Sequence, residues 1–261
     1  MQGQPADAHK DDWPRFHETA AKVAGELVYA IGDIHGRYDL LTDILRRIVA
    51  DARGRLRGRV PVLVTCGDYV DRGPDSARVL STLDWIRRDG RVRLHALKGN
   101  HEAALLDFLT DPRDGTAWLN FGGDATLRSY GVRPPEDFGD ADALVCARDD
   151  LLERMPAAHL HVLQGLEMMA VIGDYAFVHA GIRPGVPLAR QKAEDLLWIR
   201  GPFLDRTAPF EKRIVHGHSW TDPAPEIYDN RIGLDTGAYE TGVLTAVRIE
   251  DNQVEVFQTR G

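Results

Sequence analysis

The chain has 261 residues, of which 43% are apolar and 28% charged, with a formal net charge of −8. That length suits one domain with a substantial core, and the composition is ordinary for a globular protein. The negative balance argues against a general nucleic-acid binder, which needs a basic face, and no apolar run approaches the length of a membrane span.

Residues 1–26 are polar and mixed, with Trp13 and Phe16 as isolated apolar points and no stretch suited to a signal peptide. They are expected to form a loosely attached arm ahead of a single domain over residues 27–261. Leu27 to Ile31 is a short continuous apolar run that predicts a strand. Leu40, Leu41, Ile44, Leu45, Ile48 and Val49 then recur at helical spacing. Val60 to Thr65 predicts a second strand, and a helix follows Pro74 with Val79, Leu80, Leu83 and Ile86 on its apolar side. Val92 to Leu97 predicts a third strand, leading into a helix through Ala103, Leu106 and Leu109. Strands alternating with helices indicate parallel βαβ units.

The second half has another rhythm. Residues 116–165 read as helical and loop-rich, broken at Pro134 and Pro135. Met168 to Ile172 and Tyr175 to Val178 flank Gly173-Asp174, a hairpin signal. Short apolar runs near Ile214, Ile232, Val243 to Val247 and Val254 to Phe257 complete the pattern. An α/β fold is expected, with a mixed sheet or two packed mixed sheets flanked by helices. Cys66 and Cys146, the two cysteines, are too few for a disulfide framework, which makes a reducing cytoplasm the expected compartment. Cys66 lies in a strand-like run and reads as a small core residue.

Chemistry-bearing side chains follow the strands. Asp33 and His35 come after the first, Asp68 after the second, and Asn100 and His101 after the third. His179 ends Ala176-Phe-Val-His179, and His216 ends Arg213-Ile-Val-His216. Carboxyl ends of strands in an open α/β sheet share one edge, where ligands bind. Each group alone also fits an ordinary turn, but five of them at strand ends are hard to reach by chance. Carboxylate, imidazole and amide oxygen without thiolate suit divalent first-row metals. Asp33 and His35, two apart in an extended segment, would face the same way. Asp68 is the natural bridge between two cations about 4 Å apart, a spacing that clamps both oxygens of an in-line displacement and lowers the pKa of water.

Taken together, Gly32-Asp-Ile-His-Gly36, Gly67-Asp-Tyr-Val-Asp-Arg-Gly73, Gly99-Asn-His-Glu102, Val178-His-Ala-Gly181 and His216-Gly-His218 resemble the calcineurin-like metallophosphoesterases, in their phosphoprotein phosphatase branch. The similarity runs from about Leu27 to about Thr245 and is greatest to compact bacterial and phage-type serine/threonine protein phosphatases. It implies two packed mixed sheets with outer helices and two divalent cations, manganese first, with iron, zinc or cobalt open. It further implies that Asp33, His35 and Asp68 hold one metal, and Asp68, Asn100, His179 and His216 the other. His101 would protonate the leaving alkoxide with Asp71 fixing it, and Arg72 and Arg200 would bind phosphate oxygens.

Lys98 stands where the family usually has arginine before Gly-Asn-His-Glu, and it would keep the charge for phosphate while losing the bidentate fork. Leu234-Asp-Thr-Gly237 resembles the family's C-terminal strand and loop, with Asp235 a lesser site candidate. The implied substrates are phosphoserine and phosphothreonine in proteins, with phosphotyrosine and small phosphoesters included, and neither nucleic acid nor membrane. A symmetrical dinucleoside tetraphosphate hydrolase is the alternative enzyme. That group tends to carry alanine in place of Asp71 and Gly-Asn-His-Asp in place of Gly-Asn-His-Glu. A non-catalytic interaction module is a third reading, opposed by the full set of candidate ligands.

Overall fold

The computed structural model describes residues 16–18 and 20–259. Of the expected arm, residues 1–15 and 19 therefore lie outside the described residues. Its remainder engages the fold: β1 (Phe16–Glu18) pairs with a C-terminal strand, and Val23 is fully buried.

The first half runs β2 (Leu27–Ile31), α1 (Tyr38–Arg53), β3 (Val62–Thr65), α2 (Ser76–Asp89), β4 (Arg93–Ala96) and α3 (Asn100–Thr110). A helical stretch follows, with α4 (Thr116–Trp118), a kinked turn over Leu119–Gly123, α5 (Asp124–Ser129), α6 (Ala141–Arg154) and α7 (Ala157–Gln164). The hairpin β5 (Ala170–Ile172) and β6 (Tyr175–Phe177) comes next, then α8 (Ala193–Trp198), α9 (Gly201–Leu204) and β7 (Arg213–His216). The chain closes with β8 (Glu226–Ile227), β9 (Arg231–Gly233), α10 (Ala238–Thr241), β10 (Thr245–Glu250) and β11 (Gln253–Gln258).

Among the described residues these strands form two mixed sheets, ordered β1-β11-β10-β2-β3-β4 and β5-β6-β7-β9-β8. Strands β2, β3 and β4 run parallel, with Val28 opposite Val62 and Val62 opposite Arg93. Strands β6, β7 and β9 are likewise parallel in the second sheet. The expected pair of packed mixed sheets is the observed architecture.

Period-two burial on both faces explains why the strands read as continuous apolar runs. Val28, Ala30, Val62 and Val64 face the second sheet and meet Ile172, Tyr175, Phe177 and Val215 there, with Cys66 in the same cluster. Leu27, Tyr29, Ile31 and Leu63 face the other way, into a core shared with the helices. Helix α1 adds Leu40, Leu41, Ile44 and Ile48 to that core, each buried aliphatic side chain contributing roughly 1.5–3 kcal/mol. Val49, which shares the helical spacing, is half exposed at the edge of that face. A third cluster joins Ala176 and Ile214 to Leu196, Ile199 and Phe203 on the outer side of the second sheet. No helix among the described residues is long and apolar enough to cross a membrane.

Candidate metal centre

The loops after β2, β3, β4, β6 and β7 converge because parallel strands deliver their carboxyl ends to one edge. Backbone bonds tie these loops together. The N–H groups of Ile34 and His35 donate to Asp68 O, and Gly217 N donates to His179 O. Glu102 is fully buried and accepts from the backbone N–H groups of Asp68 (2.9 Å), Tyr69 (2.7 Å), Val70 (3.2 Å) and Gly99 (2.9 Å). One carboxylate thus fastens the second strand's loop to the start of α3.

Asp68 stands at the centre of the cluster, nearly free of solvent contact. Its Oδ2 lies 3.5 Å from His35 Nε2, while its Oδ1 lies 3.5 Å from His179 Nε2. Two groups able to hold a cation share it: His35, Asp68 and His101 form one, and Asp68, His179 and His218 the other. Asn100 Oδ1 adds to the second group, 2.8 Å from His179 Nε2 and 2.9 Å from His218 Nδ1. Asp33 accepts from the His218 backbone N–H at 2.9 Å through Oδ2, and its buried Oδ1 has no partner.

The backbone bears the mark of a functional site. Among the described residues, eight other than glycine have positive φ, and His35, Asp68, Asp71, Arg72 and His218 are five of them. Such conformations are costly for a residue with a Cβ and persist where surrounding contacts overdetermine them. His35 at φ 44° also means that Asp33 and His35 do not share one face of an extended segment.

His216 is not in the cluster. It ends β7 with its ring edge-on to Phe203, centroids 4.9 Å apart, and its Nε2 lies 3.3 Å from the Arg231 guanidinium. Strand geometry holds it against these neighbours, and only the turn at Gly217 brings the next imidazole round. A Cβ at Gly217 would fall 1.9 Å from Asp33 Oδ1, so this close passage requires glycine. The residue in the expected position is therefore His218. Its signal in the sequence was the second histidine of His216-Gly-His218.

A cavity of about 250 Å³ opens onto the cluster. Arg72 and Arg200 line it, as do Asp235, Tyr239 and the rings of Phe121, Trp198 and Trp220. The Arg72 guanidinium stacks on Tyr239, 4.5 Å from the ring centroid, and Arg200 donates to His218 O at 3.1 Å. Lys98 is not part of this lining. Its backbone N–H donates to Glu167 O at 2.7 Å, where the parallel bridge of Leu97 to Glu167 carries the chain along a different path. Tyr239 and the three mouth rings carried no motif and were invisible to the sequence pattern.

Electrostatics support a cation site. Burial, then the neighbouring Asp235 and Asp68 carboxylates, push the Asp33 carboxyl well above its ordinary value. Burial and Asp68 likewise raise Asp235 to about 6. Burial works to raise the Asp68 carboxyl, but the imidazoles around it, among which His101 keeps its proton most readily, outweigh that and hold it low. Burial lowers His35 to about 3 and His218 to about 2, keeping both imidazoles neutral, the form that ligates metal. Unpartnered Asp33 Oδ1 and His218 Nε2, both buried, lie among crowded carboxylates that a divalent cation would neutralise. The donor set of oxygen and imidazole nitrogen fits such a group.

Two mixed sheets carrying a buried oxygen-and-nitrogen cluster at their common edge are the frame of a metallohydrolase. The family model described as calcineurin-like phosphoesterase matches residues 27–242, and the chain belongs to that family, in its phosphoprotein phosphatase branch. It is 35% identical over 236 residues to serine/threonine-protein phosphatase 2 of Escherichia coli, covering 85% of this chain and 93% of that protein. It is also 34% identical over 296 residues to a symmetrical bis(5'-nucleosyl)-tetraphosphatase of Dechloromonas aromatica, covering 87% and 94%. A solved serine/threonine phosphatase from Saccharomyces cerevisiae shares the fold, with a TM-score of 0.57 at 13% identity over 91% of this chain and 81% of that one.

Proposed function

We propose that this chain is a two-metal phosphomonoesterase that removes phosphate from phosphoserine and phosphothreonine in proteins. The observation that carries the reading is the pairing of His101 with Asp71. His101 Nδ1 donates to Asp71 Oδ2 at 2.7 Å, both groups are buried, and His101 stands beside Asp68. Burial lowers the imidazole, and the Asp68 and Asp71 carboxylates outweigh it, raising His101 above its ordinary value. A protonated imidazole held in this way serves an alkoxide leaving group, which departs poorly without a proton. A nucleotide leaving group has little need of one.

Asp33, His35 and Asp68 would hold one cation, and Asp68, Asn100, His179 and His218 the second. Bound there, the cations supply Lewis-acid polarisation and lower the pKa of water. Manganese fits the donors, as do iron, zinc and cobalt. Arg72 and Arg200 grip the phosphoryl oxygens as planar forks. His101 gives its Nε2 proton to the departing oxygen while Asp71 keeps the ring aligned. The negative net charge favours a protein or small phosphoester substrate over nucleic acid, and the free Cys66 and Cys146 suit a reducing cytoplasm.

The mouth of the cavity favours a second reading, a symmetrical dinucleoside tetraphosphate hydrolase. Phe121 and Trp198 are 56% and 47% exposed there and offer ring faces on which a base could stack. Turnover of phosphoseryl and phosphothreonyl peptides against diadenosine tetraphosphate, with manganese supplied, decides between them. Faster cleavage of the peptides is expected; cleavage of the dinucleotide alone overturns the proposal.

A further inference from the structure

Two consecutive residues of the site, Asp71 and Arg72, are left-handed, at φ 72° and 66°. Each such residue costs about 1–2 kcal/mol, so something must hold the pair. Apart from Ser76 Oγ, which accepts from the Asp71 backbone N–H at 3.1 Å, the contacts to the Asp71 carboxylate and the Arg72 N–H beyond His101 come from one distant segment. Thr126 Oγ1 donates to Asp71 Oδ1 at 2.6 Å, and Trp118 Nε1 donates to Asp71 Oδ2 at 2.9 Å. The Asp71 backbone N–H donates back to Thr126 Oγ1 at 2.8 Å. Between these residues, Gly122 O accepts from the Arg72 backbone N–H at 3.1 Å. Gly122 itself sits at φ 105°, at the kink between two helical turns, and a Cβ there would lie 2.8 Å from Arg72 N.

We propose that Trp118 and Thr126 are positioning residues that fix the Asp71 carboxylate, and through it the leaving-group acid His101. The proposal rests on the role proposed above for His101. Trp118, Thr126 and Asp71 are all buried, and with His101 they occupy both carboxylate oxygens. Packing explains the Trp118 ring, which lies 4.5 Å from Phe108 between centroids. Packing does not explain its N–H, which is aimed at a carboxylate shared with an imidazole. With the carboxylate held by two further donors, the imidazole can align on it in one way, and its Nε2 keeps one direction.

The test uses Trp118→Phe, which keeps the ring, Thr126→Val, which keeps the shape, and Thr126→Ser, which restores the hydroxyl. With manganese, kcat on a phosphoseryl peptide should fall roughly tenfold or more in the first two, out of the 10²–10⁴-fold that a positioned acid supplies. On p-nitrophenyl phosphate, whose leaving group needs no proton, the fall should stay within about threefold. Thr126→Ser should recover most of the loss. Equal losses on both esters, or none on the peptide, overturn the proposal. A second readout needs no turnover: the His101 Nδ1 proton in the zinc-loaded full chain, assigned by its disappearance in His101→Asn. Exchange broadening in Thr126→Val and Trp118→Phe, reversed in Thr126→Ser, supports the brace, and an unchanged signal removes it. Should the wild type cleave neither ester, the proposed function fails and this signal alone decides the brace.

Discussion

The side-chain oxygen of Asn100 lies 2.9 Å from Nδ1 of His218, although 118 positions separate the two residues. This contact, rather than the end of β7, marks where the last imidazole of the cluster comes from. Replacing His218 by Asn is expected to weaken cation binding by more than about tenfold, since even outer partners of ligands act on that scale. Replacing His216 by Asn should leave metal content intact and lower the melting temperature, because His216 packs against Phe203 and Arg231. Elemental analysis after dialysis and a thermal melt distinguish them, and the opposite pattern would return the ligand role to His216.

Asp68 offers Oδ2 to the His35 side and Oδ1 to the His179 side. Asp68→Asn should therefore deplete both cation sites together, because one oxygen becomes an amide nitrogen that cannot ligate. Metal-to-protein stoichiometry checks this. Loss of a single cation would refute the bridge.

Glu102 accepts four backbone N–H groups in the dry interior. Burial beside Asp68 pushes its carboxyl up, to about 8, against the pull of those donors. Above about pH 8, where this carboxyl is ionised, Glu102→Gln turns two N–H donors toward that nest and should cost about 3 kcal/mol, the scale of charged hydrogen bonds lost and buried donors stranded. Chemical denaturation measures it; a change below about 0.5 kcal/mol would show that the loops hold themselves.

Arg72 lies over Tyr239 and within 3.2 Å of His35 Nε2. Arg72→Lys should raise KM about tenfold, since lysine lacks the planar fork and stacks poorly. Tyr239→Leu should raise KM by a smaller factor, as the guanidinium loses its platform. Steady-state kinetics on one phosphoester suffice, and an unchanged KM in Arg72→Lys would remove Arg72 from substrate binding.

Away from the site, Asp51 accepts from Tyr29 (2.6 Å), Arg248 (2.8 Å) and Arg55 (3.0 Å). Burial works to raise its carboxyl, but these bonds win and hold it below its ordinary value. A carboxyl lowered by folding stabilises above its unfolded value near about 4, and that stability is lost as pH falls through the folded value. Asp51→Asn should thus be less stable than the wild type at neutral pH, with the gap closing toward about pH 3. Urea titrations along that range test it, and a gap independent of pH would count against the carboxylate's charge.

Much of this was legible in the chain. Buried strands must be apolar on both faces, so Leu27–Ile31 and Val62–Thr65 announce themselves, and parallel strands must release their polar residues at one edge. That logic named Asp33, His35, Asp68, Asn100, His101, His179 and His216 as candidates at one edge, while the family resemblance supplied the pair of packed sheets. Other features have no local signature. Whether His216 or His218 reaches the cluster depends on a left-handed turn and on the space beside Asp33 at Gly217. Tyr239 under Arg72, and Trp118 and Thr126 around Asp71, join segments far apart in the chain. Periodicity records which way a side chain faces its own element. Contacts between elements are settled only when the cores close and fix the distances, and so the tertiary structure alone chose the second histidine and the residues that hold the acid.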